Sequence, residues 1–154
     1  MIHEKAEVET KNIGENVVVW RWSHISKDVS IGNNVMIGEF VYIGSNVKIG
    51  NDVRIQNGAQ IFDGAVIEDM VYIGPNVIFT NVRKPKITRK AETYLETIVH
   101  KGASIGANST IVCGIEVGEG ASVLPGCVVH KSIPPYVTVG GNPSRVLKQP
   151  RITL

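Results

Sequence analysis

The chain is 154 residues long, carries a formal net charge of +2 and holds two cysteines. That length fits one domain over residues 1–154, and so small a charge makes no case for nucleic acid or a membrane surface as partner. No apolar run approaches the roughly 20 residues of a membrane-spanning helix, and there is no basic-then-apolar leader, so a soluble, cytoplasmic protein is expected.

Residues 1–12 read as two imperfect hexads headed by Ile2 and Val8. Only five residues separate Val8 from Ile13, so a register slip and a frayed or distorted first coil are expected there. From Ile13 an aliphatic residue then returns at every sixth position, through Val19, Ile25, Ile31, Ile37, Ile43, Ile49, Ile55, Ile61 and Ile67 to Ile73. Four residues after each stands a second small or β-branched residue, such as Val17, Ser23, Val35 or Ala59. Neither the helical period nor the simple strand period produces this pattern, whereas hexapeptide repeats are the signature of a parallel β-helix.

One residue before the small inward position come Asn16, Asp28, Asn34, Asn46, Asp52, Gly58, Gly64 and Asn76. These residue types tolerate positive φ, so each hexad reads as a short strand followed by a left-handed corner, with three hexads per triangular coil. Trp22, Phe40 and Met70 occupy the same corner place. Trp22 and Phe40 are eighteen residues apart and should stack one coil above the other, as should the outward column His24, Tyr42 and Gln60. An aromatic column on an outer edge marks a subunit interface or a ligand wall.

The hexads break after Ile78, and residues 80–97 read as a loop leaving the coil. It gathers Arg83, Lys84, Lys86, Arg89 and Lys90, either a solvated charge run or a contact for an anionic ligand such as a diphosphate. The repeat resumes at Val99 and runs through Ile105, Ile111, Val117 and Val123 to Val129, which makes two further coils. Pro134 and Pro135 remove two backbone donors in succession, so the strand ladder should end there and the tail, 134–154, should fold back or extend. Cys127 falls at a small inward position and Cys113 on a turn; one core thiol, one surface thiol and no disulfide are expected.

The uninterrupted hexads, together with the ending HKSIPPYVTVGGNPSRV, resemble the hexapeptide-repeat acyltransferases over nearly the whole chain. The resemblance implies an all-β, left-handed parallel β-helix with one protruding loop and a short C-terminal tail. It also implies a homotrimer with sites between subunits, acetyl-CoA as co-substrate and no metal. Spacing alone leaves the hand of the coil open. The segments WRWSHI, KIGNDVRIQNGAQIFDGAVIED and YIGPNVIFTNVRKP are similar to enzymes that acetylate the 3-amino group of a UDP- or dTDP-linked amino sugar for surface polysaccharide. UDP-2-acetamido-3-amino-2,3-dideoxyglucuronate N-acetyltransferases are one such kind.

Many acetyltransferases of this fold place a histidine base just before the loop, where this chain has Thr80 and Asn81. Asparagine is no base at neutral pH, so Asn81 is a candidate for orienting the amine or donating to the oxyanion, against a turn residue capping the loop. The proton could then pass to the CoA sulfur or to His24, itself readable as a surface or interface histidine. Carried over by motif, the CoA contacts are Ala107, Pro125, His130, Lys131 and Arg145, and candidate sugar-nucleotide contacts are Tyr42, Gln60, Arg83 and Lys86. His130 stands where the family has threonine, and Pro125 offers no N–H. A non-catalytic β-helix scaffold is the first rival. The second is a metal enzyme of the γ-carbonic-anhydrase kind, whose paired histidine spacing His3, His24, His100 and His130 do not reproduce.

Overall fold

A computed structural model describes residues 1–87 and 94–148. The hexads become strands of two or three residues that stack into three parallel sheets, the faces of a left-handed triangular β-helix. The first face runs Glu7–Val8, His24–Ile25, Tyr42–Ile43, Gln60–Ile61, Ile78–Phe79, Thr110–Ile111 and Val128–Val129. The second begins at Val18–Val19 and ends with Ser122–Val123, Thr138–Gly140 and Arg145–Lys148, and the third runs from Ser30–Ile31 to Glu116–Val117. Within the regular run, partners lie eighteen residues apart, as in Tyr42 with Gln60 and Ile43 with Ile61. The inward isoleucines therefore stack directly on one another, and Ile25, Ile43 and Ile61 are fully buried. Stiff β-branched side chains suit such a narrow interior, because little rotamer freedom is lost on packing.

The expected corners take positive φ, from 55° at Asn76 to 86° at Gly64, and so do Trp22, Phe40 and Met70. Asp28 is the exception and does not adopt it. Between strand and corner the glycines have a separate purpose. Asn57 folds its side chain over Gly38 and accepts a hydrogen bond from the Glu39 amide at 2.9 Å. A Cβ on Gly38 would collide with that Asn57 oxygen.

Several expectations need correction. The slip near Val8 is present, since Val8 pairs with Ile25 and Ile2 with Val19, each seventeen residues on, yet the first coil is hydrogen-bonded rather than frayed. The regular run extends one hexad beyond Ile73: Phe79 fills the inward place, 1% exposed, and an aromatic in an aliphatic column hid it from the sequence pattern. Phe79 pairs with Ile111, 32 positions on instead of eighteen, so the excursion inserts 14 residues. Thr97 already belongs to the strand Thr97–Val99, paired with Ala65–Ile67, so the loop ends at Glu96. Pro134 and Pro135 do not end the ladder either. They sit at a corner, Ile133 bridges Val117, and Thr138–Gly140 still pairs in parallel with Ser122–Val123. Only then does the tail fold back, as Arg145–Lys148, antiparallel on Thr138–Gly140. Cys113 is buried like Cys127, not on the surface. No helix among the described residues is long and apolar enough to cross a membrane.

His100 ties three coils of the third face together at the point where the chain re-enters the helix. Its Nδ1 lies 3.2 Å from Glu68 one coil before, and its Nε2 lies 2.9 Å from Glu116 one coil after. The Lys101 amide also donates to Glu68 at 2.9 Å. Two carboxylates facing two ring nitrogens favour the imidazolium, and the Glu116 bond, with the Glu68 charge, raises the His100 pKa against the opposing effect of burial. Because the folded value is raised, the contribution is complete below the unfolded pKa of about 6.5 and fades as pH rises through the folded value. The stability gap between the wild type and His100→Gln, followed by denaturation across pH 5.5 to 9, should therefore narrow with rising pH; a constant gap would contradict the brace.

Candidate active site along two corners of the helix

The candidate residues fall into two groups that border the first face. Along its outer surface His24 stacks on Tyr42 with ring centroids 5.5 Å apart and an interplanar angle of 9°, and Gln60 lies next in register. His24 Nδ1 is 3.1 Å from a Glu7 carboxylate oxygen. Tyr42 also meets Phe62 at 5.3 Å. Phe62 was missed in the sequence reading although the signal was available: it stands at the hexad place held by Gly44 one coil earlier.

Asn81 lies three strands further down the same face, just past Ile78–Phe79, at the corner between the first and third faces. The loop base around it is fixed by the backbone of one residue. Cys113 donates its N–H to Thr80 Oγ1 at 3.1 Å, and its carbonyl accepts from the Arg83 guanidinium at 3.0 Å. Thr97 Oγ1 accepts from the Gly114 amide at 3.1 Å on the returning side. A Cβ on Gly114 would meet Arg83 and Leu95, each at 3.3 Å, so the loop stub lies close over this corner beside the buried Cys113. Arg83 thus spends part of its donor fork on the coil, while Lys84 and Lys86 project into solvent. Arg89 and Lys90 lie outside the described residues.

Within one chain the structure does not bring His24 and Asn81 together, because three strand spacings of about 4.8 Å separate their levels by roughly 14 Å.

Ala107 and Pro125 stack at the opposite edge of the first face, at its corner with the second. The Gly126 amide donates to the Ala107 carbonyl at 2.8 Å. The glycines here keep the strip narrow: a Cβ on Gly106 would meet the Pro125 nitrogen at 2.5 Å, whereas one on Gly126 would meet nothing within 4 Å. The result is a narrow strip along this corner, close-packed at Gly106 and open at Gly126. Arg145 is carried to its lower end, because the Ser144 amide donates to Val128. His130 and Lys131 are exposed at the other corner, below Asn81. The five CoA candidates therefore form two sets on either side of one face.

Glu7, Glu9 and His24 put one ligand atom each within 4.8 Å of one another, the one such group among the described residues. His24 is on the first face, His100 on the third and His130 at the corner between them, so one chain assembles no three-histidine centre. A groove on the third face, lined by Lys48, Glu68, Asp69 and Lys101, lies away from both corners.

Residues 10–45 and 28–63 match the family model for the bacterial transferase hexapeptide (six repeats). Over 145 residues, 94% of this chain and 76% of its relative, the sequence is 50% identical to dTDP-3-amino-3,6-dideoxy-alpha-D-galactopyranose 3-N-acetyltransferase of Aneurinibacillus thermoaerophilus. The chain belongs to the hexapeptide-repeat acyltransferases. Solved structures of this fold include a variant of AntD, an N-acyltransferase of Bacillus cereus, in complex with dTDP and coenzyme A. It superposes with a TM-score of 0.82 at 24% identity, over 91% of this chain and 84% of that one. A variant of GDP-perosamine N-acetyltransferase from Caulobacter crescentus, in complex with CoA and GDP-perosamine, gives 0.74 at 19% identity, over 86% of this chain and 57% of that one.

Proposed function

We propose that this acyltransferase moves the acetyl group of acetyl-CoA onto the 3-amino group of a nucleotide-linked amino sugar, in the cytoplasm, as a step toward surface polysaccharide. The observation that carries the reading is 50% identity across 94% of the chain to a dTDP-3-amino sugar 3-N-acetyltransferase, and it favours thymidine over uridine as the nucleoside. In the reaction the neutral amine attacks the thioester carbonyl, a C–N bond forms, the C–S bond breaks, and the proton leaving nitrogen ends on the departing sulfur or on a base.

The strip at Ala107 and Pro125 takes the pantetheine arm, and Arg145, Lys131 and His130 meet the phosphate and adenine end. Tyr42, Gln60, Arg83 and Lys86 serve the sugar nucleotide. Asn81, between the Thr80 and Arg83 that Cys113 fastens, donates to the oxyanion or orients the amine. The active assembly is a homotrimer with sites between subunits, and the exposed Trp22 and Phe40 with the half-buried Tyr42 border the contact.

A CoA-release assay over UDP- and dTDP-linked 3-amino and 4-amino sugars should single out a 3-amino substrate; release with none of them sinks the activity. Light scattering should give three times the chain mass at micromolar concentration, and a monomer there would remove the shared site. With Asn81 as the oxyanion or positioning group, Asn81→Ala lowers turnover by about 10- to 1,000-fold. His24→Asn costs less and leaves the acidic limb of the pH profile, which then reports the substrate's own ammonium. A near-dead His24→Asn enzyme that still binds both substrates, with Asn81→Ala barely affected, would reverse the two roles.

A further inference from the structure

The corner between the first and second faces changes character just below its aromatics. Downward, its left-handed residues are Trp22, Phe40, Gly58, Asn76, Asn108 and Gly126. The Lys5 ammonium lies over the Trp22 ring, 5.9 Å from its centroid, and Phe40 stacks on it at 4.9 Å. The next position after Phe40 is Gly58, which has no side chain, so the second face of the Phe40 ring overlooks a gap. Phe40 is 55% exposed.

Carboxamides border this gap. The Gln60 amide nitrogen reaches the carbonyls of Phe40 and Gly58 at 3.4 and 3.3 Å. Asn76 Oδ1 rises toward the place a Gly58 side chain would take. That oxygen fills the inner part of the gap, so a planar ring stacked beneath Phe40 would lie outward of it, against the exposed face of the phenyl ring. Arg21 stands beside the Trp22 ring at 5.5 Å, and its Nε faces Glu39 at 3.1 Å. A phenylalanine at φ 56° is held where asparagine and glycine are at ease, a strain of the kind that gathers at functional sites.

We infer that Phe40, over the gap at Gly58, is the stacking shelf for the nucleobase of the sugar nucleotide, with the amides of Gln60 and Asn76 at the base edge. The inference rests on the sugar-nucleotide reading above. Gln60, whose amide nitrogen is turned to the Phe40 and Gly58 carbonyls, keeps its oxygen as an acceptor for a base edge, and Asn76 adds a second carboxamide. An exposed aromatic face stacks any base. Adenine of CoA is the other source of the same chemistry. The strip at Ala107 and Pro125 lies three or four spacings below Phe40 on the same corner, roughly 14 to 19 Å away. That leaves the upper end to the second substrate.

Phe40→Asn is the informative variant, because Asn16, Asn34, Asn46, Asn76 and Asn108 already occupy equivalent corners and the fold should tolerate it. By calorimetry, its affinity for dTDP should fall by about 10- to 100-fold, and the KM for the sugar nucleotide should rise in step. Affinity for CoA, circular dichroism and oligomer mass should stay at wild-type values, and Phe40→Trp should retain dTDP binding. Wild-type dTDP affinity in Phe40→Asn, a loss that falls on CoA instead, or dissociation of the assembly would each overturn the shelf. An active wild-type enzyme with an unaffected Phe40→Asn removes the shelf alone. A wild type that binds neither dTDP nor UDP and acetylates no nucleotide sugar removes the activity reading and the shelf with it.

Discussion

The stacking of inward isoleucines at the strand spacing is the constraint from which the rest of the structure follows. For Ile25, Ile43 and Ile61 to lie directly over one another, each coil must close in the same number of residues, and closing a coil that short needs three sharp corners. Corners that sharp need positive φ, which explains the recurrence of Asn, Asp and Gly. The backbone hydrogen bonds run between coils rather than along the chain, so every coil depends on its neighbours on both sides.

A ladder of this kind accepts an insertion only where the chain can leave and return at one corner. The 14-residue excursion does so between Ile78–Phe79 and Thr97–Val99, and the isoleucine columns continue below it in unbroken register. The Cys113 peptide, bonded to Thr80 and Arg83, fixes the departure, and Thr97 with Gly114 fixes the return. A loop anchored this way presents Asn81 from a braced base, which matters for the proposed role at the transition state, since small misplacements there are costly.

Most of the fold was legible in the sequence because the hexad states the strand, the corner and the inward side chain all at once. The misreadings share a cause: they occur where a residue of unexpected type keeps the pattern, or where a residue of expected type breaks it. Phe79 is an aromatic in an aliphatic column, and Thr97 looks like loop although it pairs with Ala65. Pro134 and Pro135 look like a stop, yet a proline at a corner forfeits no ladder bond that the corner needed. Cys113 was misplaced because its cover comes from the loop, and residues so far apart in sequence meet only in three dimensions. Site chemistry was less legible, since a hexad shows which side chains point outward but not which of them share a cleft. The stack of His24 on Tyr42 followed from their eighteen-residue spacing, whereas Phe62 joins it from a different hexad place, that of Gly44, which only a comparison of places across coils picks out.

The regularity of the scaffold also limits how a site can be built on it. A β-helix of two- and three-residue strands has no hinge, so groups at different corners or levels keep their separation. Asn81 belongs to one edge of the first face, Ala107 and Pro125 to the other, and the aromatics at Trp22 and Phe40 to the upper end of that second edge. No rotamer change in one chain closes those gaps. Under the proposed assembly, a neighbouring copy turns the loop-bearing corner of one subunit toward the small-residue corner of the next. The same rigid separation then becomes the means of placing an oxyanion donor opposite a thioester. Departures from the repeat mark both edges, the loop at one and Trp22, Phe40 and the glycine gap at the other, while Met70 and Tyr136 take left-handed corners on the remaining edge. Bulky side chains at left-handed corners carry backbone strain, and at Trp22 and Phe40 that strain falls on the edge that the proposed assembly gives to the substrates.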